Sequence, residues 1–156
     1  MSRENVERIR AAFENFLADK SDFGAELLAP DVEWDATDAG ILDISRTYYG
    51  PGGVADFWRE WLGAWETVQF EYELIGVADR VLALVDQRMV GRSTGIEVPL
   101  GKYAHIYTFS EGLIVHWKLY RHQAEALKAV GLESRRCRRR MWTGFGWRMS
   151  ASGPTG

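Results

Sequence analysis

The stretch from Arg80 to Arg121 constrains this chain most. It holds three strand-like runs in succession, and Ser110-Glu111-Gly112 closes the last two, Lys102 to Phe109 and Leu113 to Arg121, on each other. A glycine ending a three-residue loop suits a type I turn with a G1 bulge. That loop pairs Phe109 with Leu113, Tyr107 with Val115, His105 with Trp117 and Tyr103 with Leu119, all on one face because side chains alternate along a strand. The opposite face carries Lys102, Ala104, Ile106, Thr108, Ile114, His116, Lys118 and Tyr120, a mixed set. The aromatic face is therefore expected to point inward. A two-residue loop would slip the register by one and set His105 against Lys118, so face and function hang on the turn.

The chain of 156 residues has the length of one domain with one core. Aromatics make up 13% of it, including seven Trp, which suits a deep core or a ligand cavity. The net charge of -3 is unevenly spread. From Glu133 onward there are six Arg against a single Glu, so the preceding body is distinctly acidic and the tail basic. An acidic body makes nucleic acid an unlikely partner, since phosphate binding relies on clustered Lys and Arg. One cysteine, Cys137, permits no intrachain disulfide and argues for a cytoplasmic location. The N-terminus lacks the apolar run of a signal peptide, and no stretch has the length and hydrophobicity of a membrane span.

In chain order, Ser2 can cap a helix with the stripe Val6, Ile9, Phe13, Phe16 and Leu17, and a short second helix from Ser21 or Asp22 ends before Pro30. Val32 to Ala36 reads as an isolated strand, and Thr37 to Gly53 as loop ending in Gly-Pro-Gly-Gly. Val54, Phe57, Trp58, Trp61, Leu62 and Trp65 then recur at helical spacing and need a broad surface to pack on. Val68 to Val77 and Val81 to Val90 form a hairpin over Ala78-Asp79-Arg80. Pairing Val77 with Val81 sets Tyr72 opposite Asp86 and Phe70 opposite Arg88 on one face. Both faces of Val81 to Val85 are apolar, as expected of a strand buried on two sides or facing another subunit. Gln123 to Val130 is a closing helix stopped by Gly131. Helices, a four-strand meander and a closing helix make a segregated α+β domain over residues 1–132. Residues 133–156 read as a basic, disordered extension.

The strand Asp31-Val32-Glu33-Trp34, the Tyr-Gly-Pro-Gly-Gly entry to the Trp-rich helix, and Tyr107-Thr108-Phe109-Ser110-Glu111-Gly112-Leu113-Ile114-Val115 followed by Glu125-Ala126-Leu127 give this sequence a resemblance to SnoaL-like members of the nuclear transport factor 2 (NTF2-like) superfamily. The resemblance covers roughly residues 3 to 132 and implies a cone-shaped fold in which a curved antiparallel sheet wraps against the N-terminal helices. It also implies a homodimer packed through the outer sheet faces. The fold hosts isomerases, cyclases, epoxide hydrolases and dehydratases as well as non-catalytic modules. Where SnoaL-like cyclases and related epoxide hydrolases carry an Asp on the last strand, this chain has Leu119; the His of the cyclases matches His105. The Arg and Asp that the epoxide hydrolases place two apart on an earlier strand fall on Asp86 and Arg88, with the types exchanged.

Asp86 and Arg88, about 6.5–7 Å apart at Cα on one face, could position a water or simply neutralise each other. His105 suits general acid or base work, or a hydrogen-bonded place in the core. Arg121 could hold an anionic group at the rim of the cone or stand solvated beside the last helix. Trp34, Tyr72, Tyr103, Tyr107, Trp117 and Leu119 are expected to line the cavity for a hydrophobic small molecule. Without a Cys/His cluster, neither metal nor cofactor is expected. The Gly-rich turn lacks a phosphate-loop Lys, and Cys137 among arginines reads as an exposed thiol of lowered pKa. The sequence thus supports cofactor-independent acid/base chemistry of isomerase, cyclase or hydratase type, with Asp86, His105 and Arg88 as its catalytic groups. The alternative is a non-catalytic ligand-binding or dimerisation module. Whether those three side chains share a cavity separates the two.

Overall fold

A computed structural model describes residues 2–19, 25–38, 45–91, 94–132 and 149–150. Helix α1 (Ser2–Asp19) leads through a single 3-10 turn, Ala25–Leu27, into β1 (Leu28–Asp35) and β2 (Thr47–Tyr49). Helix α2 (Gly50–Ala64) follows, then β3 (Trp65–Val77), β4 (Arg80–Gly91), β5 (Glu97–Ser110), β6 (Leu113–Tyr120), α3 (Gln123–Ala129) and β7 (Met149–Ser150). Of the second helix expected from Ser21 or Asp22 through Leu28, residues 21–24 lie outside the described residues, Ala25–Leu27 form only the 3-10 turn, and Leu28 already begins β1. The loop expected from Thr37 to Gly53 contains β2 and the first turn of α2, whose Pro51 suits a helix start.

The strands form one sheet in the order β2-β1-β6-β5-β4-β3-β7. Every pairing is antiparallel except β1 with β6. The strand containing Trp34 is therefore not isolated: it lies between β2 and β6, and its parallel register sets Trp34 beside Trp117. On the concave face, Ile9, Ala12, Phe13 and Phe16 of α1 and Val54, Phe57, Trp58 and Trp61 of α2 bury against the sheet. Both stripes follow the helical period read from the sequence, except that Trp65, expected at the end of the second, begins β3. Phe13 stacks on Tyr72 at 4.3 Å, and Phe57 meets Trp34 edge-on at 4.3 Å. The side chain of Leu17 lies outside the described set.

The convex face has a core of its own, in which Leu82, Ala104 and Ile106 pack under Ala126, Leu127 and Val130. This accounts for the apolar run Val81 to Val85: Val81, Ala83 and Val85 face the cone, while Leu82 and Leu84 face the cluster that contains α3. The end of α3 closes as expected. Gly131 adopts φ +83°, and the N–H of Leu132 bonds back to the carbonyl of Leu127.

Both hairpins depart from the expected register, for one physical reason. Val77 pairs with Arg80 and Ser110 with Leu113, so each turn has two residues rather than three. A two-residue connection demands a left-handed residue, and here non-glycine residues supply it: Ala78 at φ +56° and Glu111 at φ +53°, the latter followed by Gly112 at φ +83°. In the first hairpin the slip moves Tyr72 opposite Val85 and Phe70 opposite Gln87, away from Asp86 and Arg88. In the second, a bulge at Val115 adds a further residue of offset. His105 therefore lies opposite Leu119 and Tyr107 opposite Trp117, not His105 opposite Trp117, yet Trp117 and Leu119 keep the inward face expected of them. Ile114, expected outside, joins the cone core instead.

Of the tail, Met149–Ser150 pair with Phe70 and Gln69 of β3; the expectation of disorder elsewhere in 133–156, including Cys137, lies outside the described residues.

Candidate functional site

Alternation along the three central strands assembles the concave surface. It draws Val81, Ala83, Val85, Gln87 and Met89 from β4, Tyr103, His105, Tyr107 and Phe109 from β5, and Trp117 and Leu119 from β6. Phe70 and Tyr72 on β3 and Trp34 on β1 complete it. Trp34 and Trp117, brought together by the parallel ladder, stack at 4.2 Å with their planes 18° apart. His105 sits among three rings, with centroids 5.2 Å from Tyr103, 5.8 Å from Tyr107 and 5.7 Å from Trp117.

The indole Nε1–H of Trp117 donates to Nδ1 of His105 at 3.0 Å. Burial lowers the His105 pKa from 6.5 to about 3, because an imidazolium there would lose its hydration without gaining a counter-ion. The ring is neutral at physiological pH. Tyr103 donates its hydroxyl to Oε1 of Gln87 in a short hydrogen bond, while the Gln87 amide reaches only the Met89 sulfur at 3.3 Å, a weak acceptor. Burial pushes the phenols of Tyr103 and Tyr107 well above their ordinary value, and that of Tyr72 up to about 12. The Nε1–H of Trp34, on a side chain only 1% exposed, has no hydrogen-bond partner among the described residues.

Asp86 and Arg88 do not join this group. They lie on the convex side of β4, opposite Glu71 and Gln69, and line a shallow recess with those residues and Phe70. The expected Asp86/Arg88/His105 constellation is therefore divided between the two faces of the sheet. The residue that takes the inward place is Gln87, 2% exposed. Its position between Val85 and Met89 in the alternation was the available signal. Arg121 is exposed just beyond β6, its backbone N–H held by Asp38 at 2.9 Å, and Leu119 is half-buried against the cone core.

At the cone edge, Asp35 bonds Lys118 at 3.0 Å and the Thr37 hydroxyl at 2.6 Å. Partial burial raises its pKa, but the Thr37 and Lys118 contacts outweigh this and bring it down to about 2. Where the two hairpin turns meet the start of α1, a separate groove of about 620 Å³ is lined by Glu4, Asn5, Arg8, Ala78, Asp79, Phe109, Glu111 and Gly112. None of the sequence-predicted site residues lines it. Among the described residues no group of three His, Cys, Asp or Glu could hold a metal, and no helix is long and apolar enough to cross a membrane.

The family model of the SnoaL-like domain matches residues 6–117, most of the chain. The protein belongs to the SnoaL-like family. Its fold is that of the NTF2-like superfamily, and solved structures agree. An NTF2-like protein of unknown function from Burkholderia pseudomallei K96243 is 24% identical with TM-score 0.62, over 81% of this chain and 97% of that one. TerC, co-crystallised with polyporic acid, is 21% identical with TM-score 0.64, over 81% and 96%. A protein of ketosteroid isomerase-like fold from Catenulispora acidiphila DSM 44928, in complex with trimethylamine, is 14% identical with TM-score 0.60, over 80% and 92%. At these identities the neighbours establish the fold alone. No curated protein matches the chain.

Proposed function

We propose that this SnoaL-like protein binds an uncharged, largely aromatic small molecule in the cone and holds it through an oxygen atom. The observation that carries this reading is the buried Nε1–H of Trp34, which has no acceptor among the described residues beside the Trp34/Trp117 stack. An orphaned buried donor costs about 1–3 kcal/mol, and an acceptor oxygen on a bound molecule would relieve it. The inward polar groups around the stack, those of Gln87, Tyr103, Tyr107 and His105, are neutral at physiological pH, which favours an uncharged ligand there; the charges of Glu14 and Arg10 act on Tyr72 instead. Two structural neighbours hold small organic molecules, which supports the same class of role.

Isomerase, cyclase or hydratase chemistry of the acid/base kind loses support from this arrangement. Asp86 is on the other face, and a histidine that resists protonation down to about pH 3 is a poor base. Ligand binding without proton exchange is the function favoured. Self-association through the outer sheet face is a further part of the proposal, supported by partly buried Ile75, Val77, Leu84 and Tyr120 around the α3 cluster. Sedimentation velocity reads it directly, and a monomer at all concentrations refutes it.

The binding test uses isothermal titration of the full chain with flavone and 1-tetralone against 2-naphthoate and trimethylamine. Saturable binding of the uncharged ketones alone supports the proposal. Trp34→Phe, which keeps a ring and removes the N–H, should weaken that binding roughly three- to tenfold. Preference for either charged probe, or no saturable ketone binding, overturns it.

A further inference from the structure

An indole N–H can only donate, so the 3.0 Å contact from Trp117 Nε1 requires His105 Nδ1 to be an unprotonated acceptor. In a neutral imidazole the single proton then resides on Nε2. The surroundings oppose any other state. Facing the ring are Tyr103 and Tyr107 on its own strand, Ala83 directly opposite on β4, and Trp117 and Leu119 on β6, with Trp34 beyond. None of these side chains is an acid or a permanent cation, so none of them favours an imidazolium. Protonating Nδ1 would also convert the Trp117 contact into two donors pointed at each other.

We infer that Trp117 is a positioning residue that locks His105 in its Nε2–H tautomer, so that the site offers the carbonyl oxygen of an aromatic or cyclic ketone a neutral hydrogen-bond donor instead of a proton. The ligand half of this inference rests on the binding role proposed above, and the tautomer half does not. The arrangement does a specific thing. A fixed N–H shielded from water polarises a C=O group and stabilises negative charge that collects on its oxygen, with no proton changing hands. The Nε1–H of Trp34, its ring centroid 6.4 Å from that of His105, is a second nearby donor without an acceptor among the described residues. Trp34 stacks on Trp117 and Trp117 bonds His105, so one pair of indoles holds both donor rings.

The experiment is a long-range proton–nitrogen correlation spectrum of the histidine rings in the full-length, ¹⁵N-labelled chain, followed from about pH 8 to about pH 5, a window centred on the free-histidine value, with His105→Gln assigning the signal. The expected result is one His105 ring with a protonated Nε2 and a bare Nδ1, unchanged across the window. A protonated Nδ1, or a ring that gains charge within it, overturns the inference from the wild type alone, even if no variant folds. In Trp117→Phe the lock is gone, and the expected result is a mixture of both tautomers. A single unchanged tautomer in that variant removes the positioning role from Trp117. Adding flavone to the wild type should shift the Nε2–H proton resonance downfield, and Trp117→Phe should bind flavone roughly three- to tenfold more weakly. If flavone binds and leaves that proton unmoved, the donor role is refuted. If the tautomer is as expected and neither flavone nor 1-tetralone binds, the small-molecule reading of the cone fails while the lock stands.

Discussion

The buried neutral imidazole makes a quantitative statement about acid stability. The pKa of His105 is lowered by burial from 6.5 to about 3, so between those values the unfolded chain takes up a proton that the folded chain refuses. Stability then falls as pH falls: the full contribution is present above the unfolded value, and its loss is complete once the folded ring also protonates near pH 3. The whole interval is worth roughly 5 kcal/mol at 1.36 kcal/mol per pKa unit, and about half of it, some 2–3 kcal/mol, is lost between about pH 7 and about pH 4.5. That window avoids most of the effect of Asp35, whose carboxyl, held down at about 2, loses its contribution only as pH drops below 3.8. The perturbation is His105→Gln, which cannot titrate but leaves a carbonyl able to accept the Trp117 N–H. Urea unfolding followed by tryptophan fluorescence at a series of pH values gives the free energy of both proteins. The variant carries a constant offset, and every other titrating group cancels in the comparison. The wild type should lose about 2–3 kcal/mol more than the variant across the window. Parallel curves, agreeing in slope to within about 0.5 kcal/mol, would refute the claim that this ring is buried without a charge partner.

Three further expectations are open to simple measurements. Glu111→Gly places the residue that tolerates φ +53° at the first turn position, and should stabilise the protein by about 0.5–1 kcal/mol, or a few degrees in Tm, in a calorimetric scan. Gln87→Met strips the Tyr103 hydroxyl of its acceptor and should cost about 1–3 kcal/mol, while the double variant with Tyr103→Phe recovers part of that loss; strictly additive costs would show the pair to be uncoupled. Leu82→Ala opens the core under α3 and should cost about 2–5 kcal/mol in urea unfolding, whereas Asp86→Asn on the convex face should stay within about 0.5 kcal/mol and leave ketone binding unaltered.

The amphipathic helices, the meander and the aromatic concave surface were all legible in the sequence, because periodicity is written in residue type. The hairpin registers were not. Ala78 and Glu111 adopt a backbone conformation that a sequence advertises only through glycine or asparagine, so each turn was counted one residue too long. In the β5–β6 hairpin the bulge at Val115 restored the parity and kept Trp117 and Leu119 inward. In the β3–β4 hairpin nothing did, and Asp86 and Arg88 exchanged faces with Gln87. The parallel pairing of β1 was equally invisible, since no local signal connects Trp34 with a strand 83 residues away. The hydrogen bond that fixes His105 depends on tertiary placement alone.

That same pairing has a consequence for how the protein comes into being. Trp34 and Trp117 complete the ring stack only after β6 has been synthesised, so a nascent chain leaving the ribosome carries β1 with one edge unpaired throughout the making of β3, β4 and β5. Closure of the cone is thus a late event in the life of each molecule, and the aromatic strand that starts the sheet must wait, exposed to wrong partners, for the one that finishes it.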